Sequence, residues 1–123
     1  MASIGSTRID DTATAGKGIV LFGSELLNVD PSEAIIISQE VPVGKIWRIQ
    51  YAEIACRGFG RWKIKIDDVI VGGGLSGPAR EHDRTNLPDF FDAASGQTID
   101  VVYLYCYGPN AMPVESFVGI IEI

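Results

Sequence analysis

Hydrophobic positions along the chain fall into short runs: KGIVLF at 17–22, AIIISQ at 34–39, KIWRIQYAEIAC at 45–56, RWKIKID at 61–67, VIV at 69–71, DFFDA at 89–93, QTIDVVYLYCY at 97–107 and VESFVGIIEI at 114–123. The runs are rich in Ile, Val, Tyr, Phe and Trp and lie between clusters of Gly, Pro, Asn and Asp, which is the signature of strands separated by turns. No amphipathic helical repeat competes with them. The one helix-start signal is Asp30-Pro31-Ser32-Glu33, with a capping side chain followed by proline at the first helical position. The β-branched Ile35-Ile36-Ile37 behind it limits any helix to a single turn. About eight strands without crossover helices predict an all-β, antiparallel β-sandwich, read here as a jelly roll.

Two kinds of strand are visible. RWKIKID alternates cleanly, with Trp62, Ile64 and Ile66 on one side and Arg61, Lys63, Lys65 and Asp67 on the other, as expected of a strand with one face in water. IDVVYLYCY does not: Ile99, Val101, Tyr103, Tyr105 and Tyr107 face one way, and Asp100, Val102, Leu104 and Cys106 the other. SFVGIIEI repeats this, with Phe117, Gly119, Ile121 and Ile123 opposite Val118 and Ile120. A two-layer sandwich covers only one face of each sheet, so strands apolar on both sides imply a further covering, from another subunit or from a terminal arm. The alternation of Trp47 with Ile49 and Tyr51, and of Trp62 with Ile64 and Ile66, assigns both tryptophans to the core rather than to a sugar-stacking surface. The stripe Tyr103, Tyr105, Tyr107 reads as core first, partner contact second and sugar platform third.

Residues 1–16, MASIGSTRIDDTATAG, hold too little apolar surface to pack by themselves. They are expected to form an N-terminal arm ahead of a sandwich domain at 17–123, with Ile4, Arg8 and Ile9 available to a neighbouring subunit. The alternative is an arm folded back on its own domain. The longest stretch without periodicity, VGGGLSGPAREHDRTNLP at 71–88, reads as a loop. Gly72, Gly74 and Gly77 match the spacing G-x-G-x-x-G, but Pro78 follows at once and no βαβ unit surrounds them, which removes the dinucleotide reading. Glu81-His82-Asp83-Arg84 gathers acid, base and cation in four positions. His82 is the one histidine of the chain, so a metal site of the cupin type, built on several imidazoles, cannot be assembled. A glycosidase would need two of Glu81, Asp83, Asp89 and Asp92 facing each other across a cleft, and Gly74-Leu75-Ser76-Gly77 lacks the second spacing of a nucleophile elbow. The loop, with Arg80, Glu81, His82, Asp83 and Arg84, is therefore read as a docking element, with no catalytic, cofactor or metal residues assigned.

A length of 123 residues, 46% of them hydrophobic and 21% charged, suits one globular domain. No apolar run approaches the ~20 residues that cross a bilayer, and no secretory or transit pattern opens the chain, so synthesis in the cytoplasm without membrane attachment is expected. Ten basic against sixteen acidic residues give a formal charge of -6, the wrong sign for nucleic-acid binding through the bulk field. Arg57, Arg61, Lys63 and Lys65 crowd one hairpin and read as its solvated face. Cys56 and Cys106 sit in apolar runs and are expected to be buried free thiols.

VPVGKIWRI, the basic hairpin GRWKIKIDDVIV, AASGQTIDVVYLY and the terminal ESFVGIIEI, spanning residues 41–123, resemble jelly-roll accessory proteins of tailed-bacteriophage virions, the capsid decoration or cement proteins. The resemblance implies a non-enzymatic subunit on the outer capsid surface, made in the host cytoplasm, that bridges neighbouring major capsid proteins as a homo-oligomer, trimer or dimer, with an arm reaching to a neighbour. Small head or tail fibre domains share the likeness, and a carbohydrate-binding module of such a fibre is the alternative. No family motif carries residue roles across one by one. The partner-binding set is thus an expectation: Ile4, Arg8 and Ile9 of the arm, Arg80 to Arg84 of the loop, and Tyr103 and Tyr105 of the tyrosine stripe.

Overall fold

The computed structural model describes residues 17–29, 32–87, 91–108 and 111–123, together with the backbone of 4–9. Ten strands follow in order: β1 (Ile4–Ile9), β2 (Lys17–Leu27), β3 (Ala34–Glu40), β4 (Ile46–Ala55), β5 (Phe59–Ile66), β6 (Val69–Ser76), β7 (His82–Asn86), β8 (Asp92–Ala94), β9 (Thr98–Tyr107) and β10 (Met112–Glu122). They form two antiparallel sheets. The six-stranded sheet runs β1-β2-β10-β4-β7 with β8 also paired to β4, and the four-stranded sheet runs β3-β9-β5-β6. The pairs β2 with β10, β3 with β9, β4 with β7 and β5 with β6 nest inside one another. This is a long hairpin wrapped into a barrel-like sandwich, the winding of a jelly roll.

Alternation decides which side chains meet between the sheets. Trp62, Ile64, Ile66, Ile99, Val101, Tyr103 and Tyr105 come from the four-stranded sheet, and Leu21, Ile49, Ala52, Ile54, Val114, Val118 and Ile120 from the six-stranded one. Burial of each large aliphatic or aromatic member contributes ~1.5–3 kcal/mol. Each tryptophan takes a carboxylate with it. Trp47 Nε1 donates to Glu122 Oε2 at 2.8 Å, and Trp62 Nε1 to Asp83 Oδ2 at 2.8 Å. Among the described residues no buried side-chain nitrogen or oxygen lacks a hydrogen-bond partner.

Three expectations from the sequence are corrected here. The stretch 71–88 is mostly strand rather than loop: β6 holds residues through Ser76, a tight turn closed by Gly77 and Arg80 follows, and β7 begins at His82. The glycines hid it, because they leave no side-chain period to read. Gly74 pairs with Trp62, and a Cβ on it would collide with the Asp83 carboxylate and crowd the Trp62 indole. Tyr51 does not share the face of Trp47 and Ile49. The β4 register against β10 slips between Gly119 and Ile120, leaving Gln50 as an extra residue, so Tyr51 turns outward and Ala52 inward. Cys106 is exposed, whereas Cys56 is buried; both are free thiols. At the helix-start signal, Ser32 and Glu33 are not helical and Ala34 already begins a strand. Asp30 and Pro31 lie outside the described residues, as does Asp89.

Candidate docking surface

β10 lies inside the six-stranded sheet with β2 and β4 on its flanks, so its outward residues sit at the middle of that sheet's solvent side. Register places Phe22 and Glu53 on either side of Phe117, and Val20 and Tyr51 on either side of Gly119. The result is an apolar row on the face turned away from the core, with Phe117 and Ile121 half-buried and Gly119 buried. The chain covers part of it. Phe22 packs against Phe117 with ring centroids 5.0 Å apart. The Tyr51 ring lies across Gly119 where any Cβ would stand, which is why glycine is needed there. Arg84 rests its guanidinium 3.9 Å above the Tyr51 ring, and its Nε is 3.2 Å from Glu53 Oε1. Beside this stack the surface dips into a depression of about 430 Å³ lined by Gly18, Val20, Gln50, Tyr51, Gly119 and Ile121. The bulge at Gln50 aims Tyr51 into this position.

The two edges of the same sheet carry part of the sequence-expected docking set. On one edge β1 pairs antiparallel with β2, with Ile4 opposite Leu21, Arg8 opposite Gly18 and Ile9 opposite Lys17, and an irregular register between Ile4 and Thr7. The backbone of the arm thus extends its own sheet, the folded-back arrangement. On the other edge β7 pairs with β4, setting Arg84 opposite Glu53 and His82 opposite Ala55.

The cluster at 80–84 divides between structure and surface. Asp83 turns inward. One of its oxygens accepts from Trp62 Nε1 at 2.8 Å and from the Leu75 amide at 3.1 Å, and the other lies 3.2 Å from Arg80. This carboxylate ties the edge of one sheet to the edge of the other. The Glu81 carbonyl accepts from the Cys56 amide at 2.8 Å, and its carboxylate lies 3.7 Å from Arg57. His82 is exposed. Asp92 is held by Arg48 through two bonds of 2.8 and 3.0 Å. Glu81, Asp83 and Asp92 are therefore each tied to a cationic partner, and they do not converge on one cleft.

Tyr103 and Tyr105 are not at this surface or any other. Both are almost wholly buried, 0% and 1% exposed, because their strand's inward parity places them in the core, the first of the readings for the stripe. The Tyr103 hydroxyl meets Ser76 Oγ at 2.7 Å and donates to the Gly58 carbonyl at 3.1 Å. Burial raises the pKa of both phenols above the ordinary tyrosine value. Of the stripe, Tyr107 alone is exposed. The anchoring role of Asp83 was missed from sequence. Its signal was the need of a buried indole for an acceptor.

No protein-family model and no curated protein match the chain. Among solved structures, one chain of an assembly titled "Acidic stable capsid structure of Helicobacter pylori bacteriophage KHP30" superimposes with a TM-score of 0.45 and 10% sequence identity, over 85% of the present chain and 92% of that one.

Proposed function

We propose that this chain is a non-enzymatic structural subunit of a bacteriophage virion, docking on neighbouring shell proteins through the outer face of its six-stranded sheet. The observation that carries the reading is the apolar row Phe117, Gly119, Ile121 at the centre of a solvent-facing sheet, flanked by Val20, Phe22 and Tyr51. A sheet face left to water is normally polar, and a contiguous apolar patch there is the mark of a contact surface. Its composition suits one. Two phenylalanines, a tyrosine and an arginine stacked on that tyrosine are the residue types that dominate binding energy at interfaces. The resemblance of residues 41–123 to virion decoration proteins points to the same role.

In this reading attachment comes from three parts. The aromatic centre supplies affinity by desolvation, and the polar edge at His82 and Arg84 fixes register. The arm, seated as an edge strand beside the row, widens the face and offers main-chain hydrogen bonds to a neighbour. Decoration of the outer shell and bridging of major capsid subunits by a homo-oligomer are the finer form of the proposal.

Density-gradient sedimentation of native particles, followed by mass spectrometry, tests it. Co-migration of the chain with a particle of megadalton size, at fixed stoichiometry to a major shell protein, is expected. Recovery only as a small free species overturns the proposal. Deleting residues 1–16 should weaken attachment while leaving the fold intact, and unchanged attachment would remove the arm from the account.

A further inference from the structure

At one end of the four-stranded sheet the start of β5 and the end of β9 hold two aromatic rings in solvent. Among the described residues, Phe59 and Tyr107 are the exposed aromatic side chains, 47% and 72% accessible. Their ring centroids lie 5.8 Å apart with the planes tilted by 44°. The backbone beneath them has no freedom to withdraw. Ser76 Oγ and the Tyr103 hydroxyl both donate to the Gly58 carbonyl, at 2.9 and 3.1 Å, and the Gly58 amide bonds Cys56 Sγ at 3.3 Å. Gly58 and Gly108 both lie against the Tyr105 ring, leaving no space for a Cβ at either. Phe59 is backed by Gly77. Folding gains little from keeping these rings wet, yet a buried hydrogen-bonded network fixes their position. This is the arrangement of a preorganised binding site.

Polar groups complete the corner. Arg57 Nε and Glu81 Oε2 are 3.7 Å apart with side chains 75% and 47% exposed, a long ion pair that contributes about 0–1 kcal/mol. Both ends can exchange it for ligand hydroxyls at small cost. Arg57, Gly58, Phe59, Pro78, Tyr107 and Gly108 line a depression of about 270 Å³. Drug-sized ligands fill roughly 300–1,000 Å³, so this one suits a single ring.

We propose that the Phe59–Tyr107 corner is a binding site for a gluco-configured pyranose. In that configuration the hydroxyls are equatorial and the ring faces carry only axial C–H groups, whose positive edge complements the negative face of an aromatic ring. The hydroxyl rim presents adjacent donors and acceptors, which Arg57 and Glu81 match as donor and acceptor. A stacked nucleotide would bring phosphate toward Glu81 on a chain of charge -6, which opposes it. A folded protein partner buries roughly 800 Å² of each surface, more than one corner supplies. The inference stands apart from the docking face, which belongs to the other sheet.

The test is amide-resolved NMR titration of the full chain with cellobiose and with N,N′-diacetylchitobiose. Saturable shifts in the millimolar range, confined to residues 57–59 and 107–108, are expected. Tyr107→Ala should weaken binding by about tenfold, ~1.4 kcal/mol, with an unchanged melting temperature. Tyr107→Leu, which keeps apolar bulk without a ring face, should weaken it similarly, and Tyr51→Ala on the other sheet should leave it intact. Absence of saturable shifts, shifts that survive both Tyr107 variants, or binding of a polyproline peptide at these residues without any sugar binding would each overturn the proposal.

Discussion

The outer faces of the two sheets are built on one core and differ in almost everything else. On the four-stranded sheet Lys63 and Lys65 converge on Glu33 at 2.8 and 3.7 Å, and the lysine stems with Ile35 and Leu104 surround Val102, which is only 5% exposed although it lies outside the core cluster. That face covers its central apolar residue, Val102, with long charged side chains, while Ile35 of β3 and Ile70 and Leu75 of β6 stay exposed on its edge strands. On the six-stranded sheet the central strand offers Phe117, Gly119 and Ile121, and the cover is aromatic: Phe22, and Tyr51 under Arg84. One face is covered at its centre by charged stems, and the other by aromatic rings. The lesson is that an apolar second face on a strand becomes informative only when its covering is known. The outward rows of β9 and β10 are covered to a similar extent, with Val102 and Gly119 buried and Leu104, Phe117 and Ile121 half-buried. They differ in what covers them: lysine stems on one, aromatic rings on the other.

Charge placed on the aromatic face should separate the two most sharply. Phe117→Asp is expected to reduce attachment to the particle by about a hundredfold, ~2.8 kcal/mol, in a co-sedimentation assay, whereas Lys63→Asp on the opposite face leaves attachment unchanged. Equal losses would erase the distinction. Next in size is the tie between the sheets. Asp83→Ala strands the buried Trp62 indole N–H and should cost about 2–3 kcal/mol in urea unfolding, while folded molecules attach normally. Removing the cover over Tyr51 comes third: Arg84→Ala is expected to lower attachment by about tenfold, with roughly 1 kcal/mol or less lost in stability.

Two carboxylates carry the comparison into pH. Glu122 is held below the ordinary glutamate value of 4.5 first by the Trp47 indole, then by Lys45 and Lys17. Glu33 is lowered first by its bond from Lys63. A lowered folded pKa contributes stability that is complete above the unfolded value and is lost as pH falls through the folded one. Stability should therefore decline as pH drops below 4.5, and Glu122→Gln should flatten that decline more than Glu33→Gln, because Glu122 is only 10% exposed and its indole donor is buried. Thermal melts between neutral and acid pH read the difference directly, and a larger effect at Glu33 would contradict it. Smallest of all, Lys63→Ala should cost under about 1 kcal/mol and become neutral in high salt.

Most of the fold was legible because strand alternation is a local signal. RWKIKID places Trp62, Ile64 and Ile66 in the core as its spelling says. What escaped depended on pairing. The slip at Gln50 is a property of two strands, so nothing in IWRIQYAEIA alone announces that Tyr51 leaves the face of Trp47. The glycines of β6 carry no period, and their strand becomes visible only by folding β5 back across Asp67-Asp68, both at positive φ as a tight hairpin turn requires, which sets Gly74 opposite Trp62. The apolar row on β10 was legible as a row, but its partial cover by Phe22 and Tyr51 was not. The charged run at 80–84 suggested one surface, whereas strand parity sends Asp83 inward and Arg84 outward.

Hydroxyl-radical footprinting of the particle-bound chain against the free chain tests the central claim most directly, since it reads side-chain access on both faces in one experiment. Protection of Phe22, Tyr51 and Phe117, with Phe59, Cys106 and Tyr107 as reactive as in the free chain, is the result expected. Protection of Phe59, Cys106 and Tyr107 with Phe117 and Tyr51 still reactive would contradict the account and move the docking face to the other sheet.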